Sequence, residues 1–202
     1  MTLIVAMMNL KGGVGKTTGV VLLASALSKD GHTVEVWDAD PQGSATEWLD
    51  IAAENRPVDQ RAPFTHKPVN VASLKRARPG ADFVLIDTPP GDPAMQSAAA
   101  AAADLVIVPA TPSPQDMSRV WATVDALGAS VPAVVLLNMA DPRTVLYREA
   151  IDALNAEGVP YFDATVPTRQ SYKQVHGTTP TTSTVLGAWA DVAHEIQEME
   201  KQ

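Results

Sequence analysis

The sequence of 202 residues contains no cysteine. Disulfide bonds and thiolate ligands for zinc or iron–sulfur clusters are therefore excluded for this chain. Long apolar runs are also absent, because no stretch approaches the roughly 18 residues typical of a membrane-spanning helix. The short apolar run Leu3–Met8 has no basic region before it, as a secretory signal peptide would have. These absences predict a cytoplasmic protein.

The chain also has fewer basic than acidic residues. The chain has 15 Lys and Arg against 23 Asp and Glu, for a net charge of −8. This balance counts against a broadly basic nucleic-acid-binding surface, so any contact with DNA has to come from a local patch. Hydrophobic residues make up 46% and charged residues 19%, which is typical of a packed globular domain. We expect a single domain over residues 1–202.

The most informative segment is residues 11–18, which follow an apolar run and precede a stretch of helical character, Gly19–Leu27. A glycine-rich loop between a strand and a helix binds phosphates through backbone N–H groups and the positive helix N-terminus. Lys16 is placed to reach the β- and γ-phosphates, and the Thr17 hydroxyl to bind Mg²⁺. The predicted nucleotide-binding residues of this loop are Lys11, Gly12, Gly13, Val14, Gly15, Lys16, Thr17 and Thr18.

This loop differs from the general P-loop, which has a glycine where this chain has Leu10, and it begins with a second lysine, Lys11. The pattern K-G-G-x-G-K-[ST]-T resembles the deviant Walker A loop of the ParA/MinD ATPases. In that family the early lysine crosses a dimer interface to the partner's nucleotide. The resemblance therefore implies ATP and Mg²⁺ as cofactors, catalytic roles for Lys11 and Lys16, and a homodimer in the ATP state.

Short continuous apolar runs that alternate with helical stretches predict a doubly wound α/β fold, with a mostly parallel sheet and helices on both faces. The predicted strands are Leu3–Met8, Thr33–Trp37, Phe83–Ile86, Leu105–Val108, Ala133–Leu137 and, more weakly, Tyr161–Val166. The predicted helices are Thr17–Lys29, Ser44–Ala53, Val71–Arg78, Pro93–Ala103, Gln115–Leu127, Arg143–Glu157 and Val185–Lys201. The pattern of residues 55–68 predicts no particular structure. In such folds, ligands bind beyond the carboxyl ends of the strands.

Two acidic motifs follow predicted strands. Asp38 and Asp40 stand in the segment Asp-Ala-Asp-Pro-Gln, and carboxylates there suit both Mg²⁺ binding and orientation of an attacking water. The segment resembles the D-x-D-P-Q signature of ParA proteins, which implies that Asp40 is catalytic and positions the water while Asp38 supports the metal. The alternative is that the two aspartates only start a turn.

Asp87 ends the apolar run Phe83–Ile86 in the manner of a Walker B aspartate, and we predict that it holds Mg²⁺ together with Thr17 and Asp38. The Thr-Pro-Pro-Gly segment that follows resembles the second switch of the family. Asn138, at the end of a later strand, resembles the asparagine that contacts adenine, and Pro167 lies where relatives pack backbone against the base. Asn138 alternatively serves as a polar strand cap.

The segment from Val166 to Lys173 resembles the arginine-bearing segment of small, ParF-like ParA proteins. The resemblance implies non-specific DNA binding through Arg169 and Lys173, which would share one face of a helix. The alternative is that both are solvated surface charges. A second basic group, Lys67, Lys75, Arg76 and Arg78, is more typical of a solvated face than of a DNA contact.

These motifs occur in the order found in ParA-type partition ATPases, and the short N-terminal part predicts no upstream helix-turn-helix domain. The acidic C-terminal stretch argues against a membrane contact. The implied function is ATP-dependent partition of plasmid or chromosomal DNA by a nucleoid-associated dimer, with hydrolysis stimulated by a centromere-binding adaptor protein. One alternative is a ParA-like ATPase that positions a protein cargo over the nucleoid. A less favoured alternative is a metabolic P-loop ligase or kinase, with the loop Pro109–Pro114 lining a substrate pocket.

Overall fold

The computed structural model describes residues 2–54, 64–76 and 78–200. Its strands are β1 Leu3–Met7, β2 Val34–Asp38, β3 Thr65–Pro68, β4 Phe83–Asp87, β5 Leu105–Ala110 and β6 Ala133–Leu137. Its helices are α1 Lys16–Lys29, α2 Ser44–Glu54, α3 Val71–Leu74, α4 Pro93–Ala102, α5 Pro114–Leu127, α6 Val145–Ala156, α7 Gln170–Gln174 and α8 Ser183–Glu200.

The six strands form one sheet in the order β3-β2-β4-β1-β5-β6, and every neighbouring pair is parallel. The chain runs outward from β1 through β2 to β3 on one side, returns to insert β4 between β2 and β1, and then crosses β1 to build β5 and β6 on the other side. This reversal puts the end of β1 at the switch point of the sheet, where open α/β sheets form their ligand crevice. The predicted doubly wound fold is confirmed.

Helices cover both faces of the sheet, which explains why its strands are apolar without interruption. In β1, Val5 and Met7 pack against α1, α2 and α8, whereas Ala6 packs against the helices of the other face. Successive strand residues point to opposite faces, so both sets must be apolar when both faces are covered. The second core contains residues of α3, α4, α5 and α6.

Two parts of the sheet differ from the prediction. Strand β3 is an edge strand of mostly exposed Thr, His, Lys and Pro, so hydrophobic periodicity gives no sign of it. Tyr161–Val166 was predicted as a strand but makes only two isolated bridges to the β6 side, Val135 with Tyr161 and Asn138 with Val166. The Glu195 carboxylate accepts hydrogen bonds from the backbone N–H groups of Asp163 and Ala164, at 2.9 and 2.6 Å, so these groups do not join a ladder.

Seven helices lie at the predicted positions, with one large difference in length, whereas the short helix α7 was not among the predicted helices. Helix α3 ends at Leu74, although the pattern predicted a helix to Arg78. Asn70 caps its start by accepting a hydrogen bond from Ser73 N at 2.9 Å, while Pro79 and Gly80 follow within a few residues and do not favour continuation. Of the segment 55–68, for which the sequence predicts no particular structure, residues 55–63 lie outside the described residues. Lys201, the predicted end of the last helix, also lies outside them.

Candidate nucleotide site

The glycine loop leaves β1 at the switch point and is fixed at its start by Asn9, which is fully buried. The Asn9 side chain donates to the carbonyl of Pro109 at 2.8 Å and accepts from the backbone N–H of Lys11 at 2.8 Å. The loop is thereby attached to the neighbouring strand β5. Asn9 was not among the predicted residues, and only its position between the strand and the lysine signals a role.

Gly15 closes the loop and requires glycine for two reasons. Its φ of 87° lies in the left-handed region, and a Cβ there would come within 2.5 Å of Asn138 Nδ2. Asn138 itself donates to the carbonyl of Val14 at 2.8 Å. Asn138 therefore holds the loop from the end of β6, and its predicted contact with adenine stays a prediction.

Lys16 begins α1 and is 7% exposed, with its ammonium donating to the carbonyl of Lys11 at 3.1 Å. Burial lowers the pKa of Lys16, and the nearby carboxylates of Asp87 and Asp40 partly oppose this shift. No acidic side chain occupies the first turn of α1. The Lys16 ammonium and the N-terminus of α1 thus face the same site. No acidic side chain in that first turn competes with a bound phosphate.

The acidic residues converge beside Lys16 because of strand register. Asp38 and Asp87 are direct partners on the parallel strands β2 and β4. Asp38 is held rigidly: Oδ1 accepts from Asp40 N at 3.1 Å, and Oδ2 accepts from the backbone N–H and hydroxyl of Thr46 at 2.8 Å each. Asp40 is half-buried, and its Oδ1 accepts from Gln42 N at 2.9 Å. The second Asp40 oxygen has no hydrogen bond with another described residue.

Asp87 is the least satisfied of these groups. It is fully buried, and neither carboxylate oxygen has a hydrogen-bond partner among the described residues. Burial raises the pKa of Asp87 to about 7. The Thr17 hydroxyl, which lies near the carboxylate without completing a hydrogen bond, and the Lys16 ammonium act to lower this pKa, and the Asp38 carboxylate raises it further. A buried, unpartnered carboxylate beside a hydroxyl and a second carboxylate fits a hard divalent cation.

No group of three or more His, Cys, Asp and Glu side chains suited to a metal occurs in the described ranges. Mg²⁺ does not need such a group, because it keeps several waters and binds phosphate oxygens alongside one or two protein ligands. The structure places Thr17, Asp38 and Asp87 together, and their binding of Mg²⁺ stays a prediction.

A cavity of about 240 Å³ opens on the other side of the loop. Gly15 and Thr18 line one side, and Asn138 and Pro167 line another, which are the residues predicted for the nucleotide and its base. Two further residues of its wall, Tyr172 and Trp189, carry buried polar atoms without partners among the described residues. The cavity is therefore suited to a planar ligand that has hydrogen-bonding edges.

Arg169 and Lys173 lie on the same cavity but not on one helical face. Arg169 has extended backbone just before α7, and only Lys173 lies within that helix, so the predicted helical pairing is wrong. The Arg169 guanidinium donates to the carbonyl of Thr184 at 2.9 Å. Both side chains are exposed, and their DNA contact stays a prediction.

In the second basic group, Lys67 is already engaged. Its ammonium lies 3.3 Å from Glu35 Oε2 and 4.7 Å from the ring centroid of Trp37. Because the Lys67 ammonium already interacts with Glu35 and Trp37, it is less available to bind a phosphate. A solvated face stays the prediction for Lys75, Arg76 and Arg78.

Lys11 does not extend freely from the loop. Its ammonium forms an ion pair and hydrogen bond with Asp116 Oδ1, in the first turn of α5. Burial acts to raise the pKa of Asp116, but the Lys11 ammonium and the Thr111 hydroxyl outweigh it and hold that pKa below its ordinary value. Asp116 was not predicted, since nothing in the local pattern links it to a lysine 105 positions away.

A parallel sheet with a lysine-containing glycine loop at its switch point and acidic residues on two adjacent strands defines a P-loop nucleotide-binding protein. Residues 5–178 match the family described as the CobQ/CobB/MinD/ParA nucleotide binding domain. The chain belongs to this family, which confirms the resemblance to ParA/MinD ATPases.

Several relatives are known by name. The chain is similar to the maintenance of carboxysome distribution protein A of Halothiobacillus neapolitanus, with 30% identity covering 83% of this chain and 81% of the relative. The protein of the same name from Gloeobacter kilaueensis is 36% identical, over 85% and 79%. The chromosome-partitioning ATPase Soj of Thermus thermophilus is 31% identical, over 75% of each chain.

Solved structures share the fold. Apo McdA of Cyanothece has a TM-score of 0.78 at 20% identity, covering 96% of this chain and 99% of that one. A plasmid partition protein of Borrelia burgdorferi bound to AMPPNP has a TM-score of 0.76 at 15% identity, covering 98% and 100%. At these identities the likeness concerns the fold alone.

The described residues, 2–54, 64–76 and 78–200, contain no helix that is long and apolar enough to span a membrane. The final helix α8 is instead a core element. Leu186, Trp189 and Val192 lie on its buried face within the cluster that includes α1. Its apolar face is therefore already used in packing.

Proposed function

We propose that this chain is an ATP-hydrolysing switch that positions a protein cargo over DNA. The observation that carries the proposal is the convergence of the buried Lys16, the unpartnered Asp87 and the half-buried Asp40 beside one glycine loop. The cargo assignment is supported by the similarity to two carboxysome distribution proteins. Partition of plasmid or chromosomal DNA is the second candidate, supported by the similarity to Soj.

In this proposal the chain's own residues bind ATP and orient a water. The loop N–H groups and the Lys16 ammonium bind the phosphates, while Asn138 and Pro167 line the cavity for the base. Thr17, Asp38 and Asp87 would hold Mg²⁺, which would supply charge neutralisation of the bound phosphates. Asp40 has a carboxylate oxygen available to orient the attacking water, since Gln42 occupies only the other one.

Association of two copies is the second element of the proposal. Lys16 already provides the cation for the chain's own phosphates, so a second cation at the start of the loop is most useful to a nucleotide across a symmetric interface. Lys11 fills this role in the ATP state. Nucleotide then shifts the population towards a DNA-competent dimer, and an adaptor that carries the cargo stimulates hydrolysis and release.

Sedimentation with DNA in the presence of ATP, ADP or no nucleotide, over a salt series, tests the switch. We expect binding with ATP only, weakening steeply as salt increases, since the contacts are to phosphates. Equal sedimentation in all three nucleotide states, or none in any, would contradict the DNA part of the proposal.

Arg169→Glu locates the contact surface. We expect weaker DNA binding and a flatter salt dependence, with dimerisation unchanged. Arg119→Glu makes the same charge change at an exposed position on α5 and should retain binding. A loss in Arg76→Glu with none in Arg169→Glu would transfer the DNA surface to the second basic group.

Deleting the gene in its native host distinguishes the two cargoes. A protein cargo predicts that large protein assemblies lose their regular distribution while plasmids and chromosomes are inherited normally. Loss of plasmids or anucleate daughter cells, with assemblies still evenly placed, would favour DNA partition instead. The Lys16→Ala allele should reproduce the deletion.

A further inference from the structure

The Lys11–Asp116 pair is strongly asymmetric in its burial. The Asp116 side chain is 1% exposed and the Lys11 side chain 38% exposed. The lysine can therefore leave by rotating towards solvent, whereas the carboxylate is fixed in the protein. Only the side chain needs to move, because the Lys11 backbone N–H is bonded to Asn9 and its carbonyl to Lys16.

The other partners of Asp116 are neutral. Its Oδ2 accepts from the Thr111 hydroxyl at 2.6 Å, and its backbone N–H donates to Ser113 Oγ at 3.2 Å. These contacts fix the position of the carboxylate but carry no compensating charge. When Lys11 leaves, a buried anion remains with one hydroxyl as its side-chain partner, which is energetically unfavourable.

We propose that Asp116 is a positioning residue that retains Lys11 within its own protomer, so that association of two copies has to release this ion pair first. The inference rests on the proposed function, in which Lys11 serves the partner's nucleotide. Asp116 then sets the ATP concentration at which the protein dimerises: a stronger pair favours the monomer, and loss of its charge favours the dimer.

The pair itself can be tested without any variant. Acylation by an amine-reactive ester, followed by mass spectrometry, measures the reactivity of each lysine in the nucleotide-free protein. In the parent protein, we expect Lys11 to react several-fold more slowly than the exposed Lys75. In Asp116→Asn, the rate of Lys11 should approach the rate of Lys75. Equal rates of Lys11 and Lys75 in the parent protein would overturn the proposal, including the case in which Asp116→Asn fails to fold.

Asp116→Asn keeps the shape of the side chain and removes its charge. We expect half-maximal dimerisation at roughly tenfold less ATP, a moderate shift because Lys11 is partly solvated in the pair. Thr111→Val is the matched control: it removes the neutral partner and leaves the charge, so it should not lower the ATP requirement. Sedimentation velocity over an ATP titration measures each midpoint, and thermal unfolding checks that each variant is folded.

A double-mutant cycle shows whether Asp116 acts through Lys11. In a Lys11→Ala background, which itself weakens dimerisation and is therefore titrated at a higher protein concentration, Asp116→Asn should produce no further shift of the ATP midpoint. Three results would each overturn the inference. They are the same tenfold shift in the Lys11→Ala background, an unchanged ATP midpoint in Asp116→Asn alone, and an equal shift in Thr111→Val. A parent protein that does not dimerise with ATP would instead contradict the proposed function, so the two failures are distinguishable.

Discussion

At the scale of single residues, the site is defined by a buried ammonium and a buried carboxylate that have few partners among the described residues. Lys16 is buried against a backbone carbonyl of its own loop, and Asp87 is buried with no hydrogen-bond partner among the described residues. Folding brings both groups to positions that are unfavourable without a ligand. A nucleotide with Mg²⁺ supplies the anion for one and the cation for the other, which is why the two groups belong to one function.

Lys16→Ala should strongly weaken nucleotide binding, because it removes the main side-chain cation on the phosphates. We expect ATP affinity to fall by about 10- to 150-fold, since a charge-assisted contact contributes about 1.5–3 kcal/mol. Isothermal titration with ATP and Mg²⁺ measures the change. Lys29→Ala is the control at the other end of α1, where the exposed ammonium donates to Ser183 Oγ at 3.0 Å. Parent-like ATP affinity in Lys16→Ala would refute the loop assignment.

The raised pKa of Asp87 predicts an unusual pH dependence of stability. Because this pKa is about 7 in the folded protein and 3.8 ordinarily, the folded state holds an extra proton between these values. Stability of the nucleotide-free protein should therefore fall as pH rises from about 4 to 7. Asp87→Asn should remove this loss and gain up to about 4 kcal/mol in unfolding free energy at pH 8.

Urea unfolding from pH 5 to 8, without nucleotide or Mg²⁺, measures the Asp87 effect. The advantage of Asp87→Asn should shrink steadily as pH falls. Asp125→Asn is the control, since Asp125 is an exposed carboxylate on α5. Parallel stability curves for Asp87→Asn and the parent would show that Asp87 does not titrate in this range.

At the scale of secondary-structure elements, the contact between α1 and α8 holds the loop-bearing helix in place. Gly19 lets the Trp189 ring approach closely: a Cβ at Gly19 would lie 2.8 Å from Trp189 Cη2 and 3.1 Å from Met7 Cε. Trp189 is 1% exposed and has little room to yield. Gly19→Ala should therefore destabilise the protein by about 1–3 kcal/mol through overpacking.

Gly187→Ala, on the same helix pair, should change the stability of the protein in the opposite direction. A Cβ at Gly187 in α8 meets no atom within 4 Å. Replacing a helical glycine there should stabilise the protein by about 0.5–1 kcal/mol. Chemical denaturation of the two variants checks both signs, and a Gly19→Ala variant as stable as Gly187→Ala would contradict the packing account.

Most elements were predictable from the sequence because both faces of the sheet are covered. Burial on two faces demands continuous apolar runs, and these identified β1, β2, β4, β5 and β6 to within two residues at each end. Strand β3 was not predictable, since its polar residues lie at an exposed edge. The strand predicted at Tyr161–Val166 is wrong because the Glu195 carboxylate, distant in sequence, takes the backbone N–H groups.

The site was predictable where motif and strand end coincide. Asp38 and Asp87 follow apolar runs, and the parallel pairing of β2 with β4 brings them side by side. Asn9 and Asp116 were missed because their significance comes from long-range contacts: Asn9 with Pro109, and Asp116 with Lys11. The Asn9 contact depends on the pairing of β1 with β5, and the Asp116 contact depends on where α5 begins after β5. Local sequence gives neither.

At the scale of the whole molecule, the proposed function requires an acidic protein to approach DNA. A net charge of −8 repels a polyanion on average, so binding depends on concentrating cations on one face. Arg169 and Lys173 lie exposed at the rim of the cavity proposed for the base. Doubling the chain across a symmetric interface would double this cationic group, which links DNA binding to association.

The mass of the protein by sedimentation velocity, measured with no nucleotide, with ADP, or with ATP and Mg²⁺, shows whether nucleotide switches the chain to a dimer. We predict the monomer mass of 21.4 kDa in the first two conditions and twice that mass with ATP. Asp40→Ala should bind ATP with parent-like affinity, hydrolyse it poorly and remain dimeric, because removing the water-positioning carboxylate mainly affects the transition state. A monomer in ATP for both proteins, at concentrations where ATP is bound, would contradict the nucleotide-switched dimer.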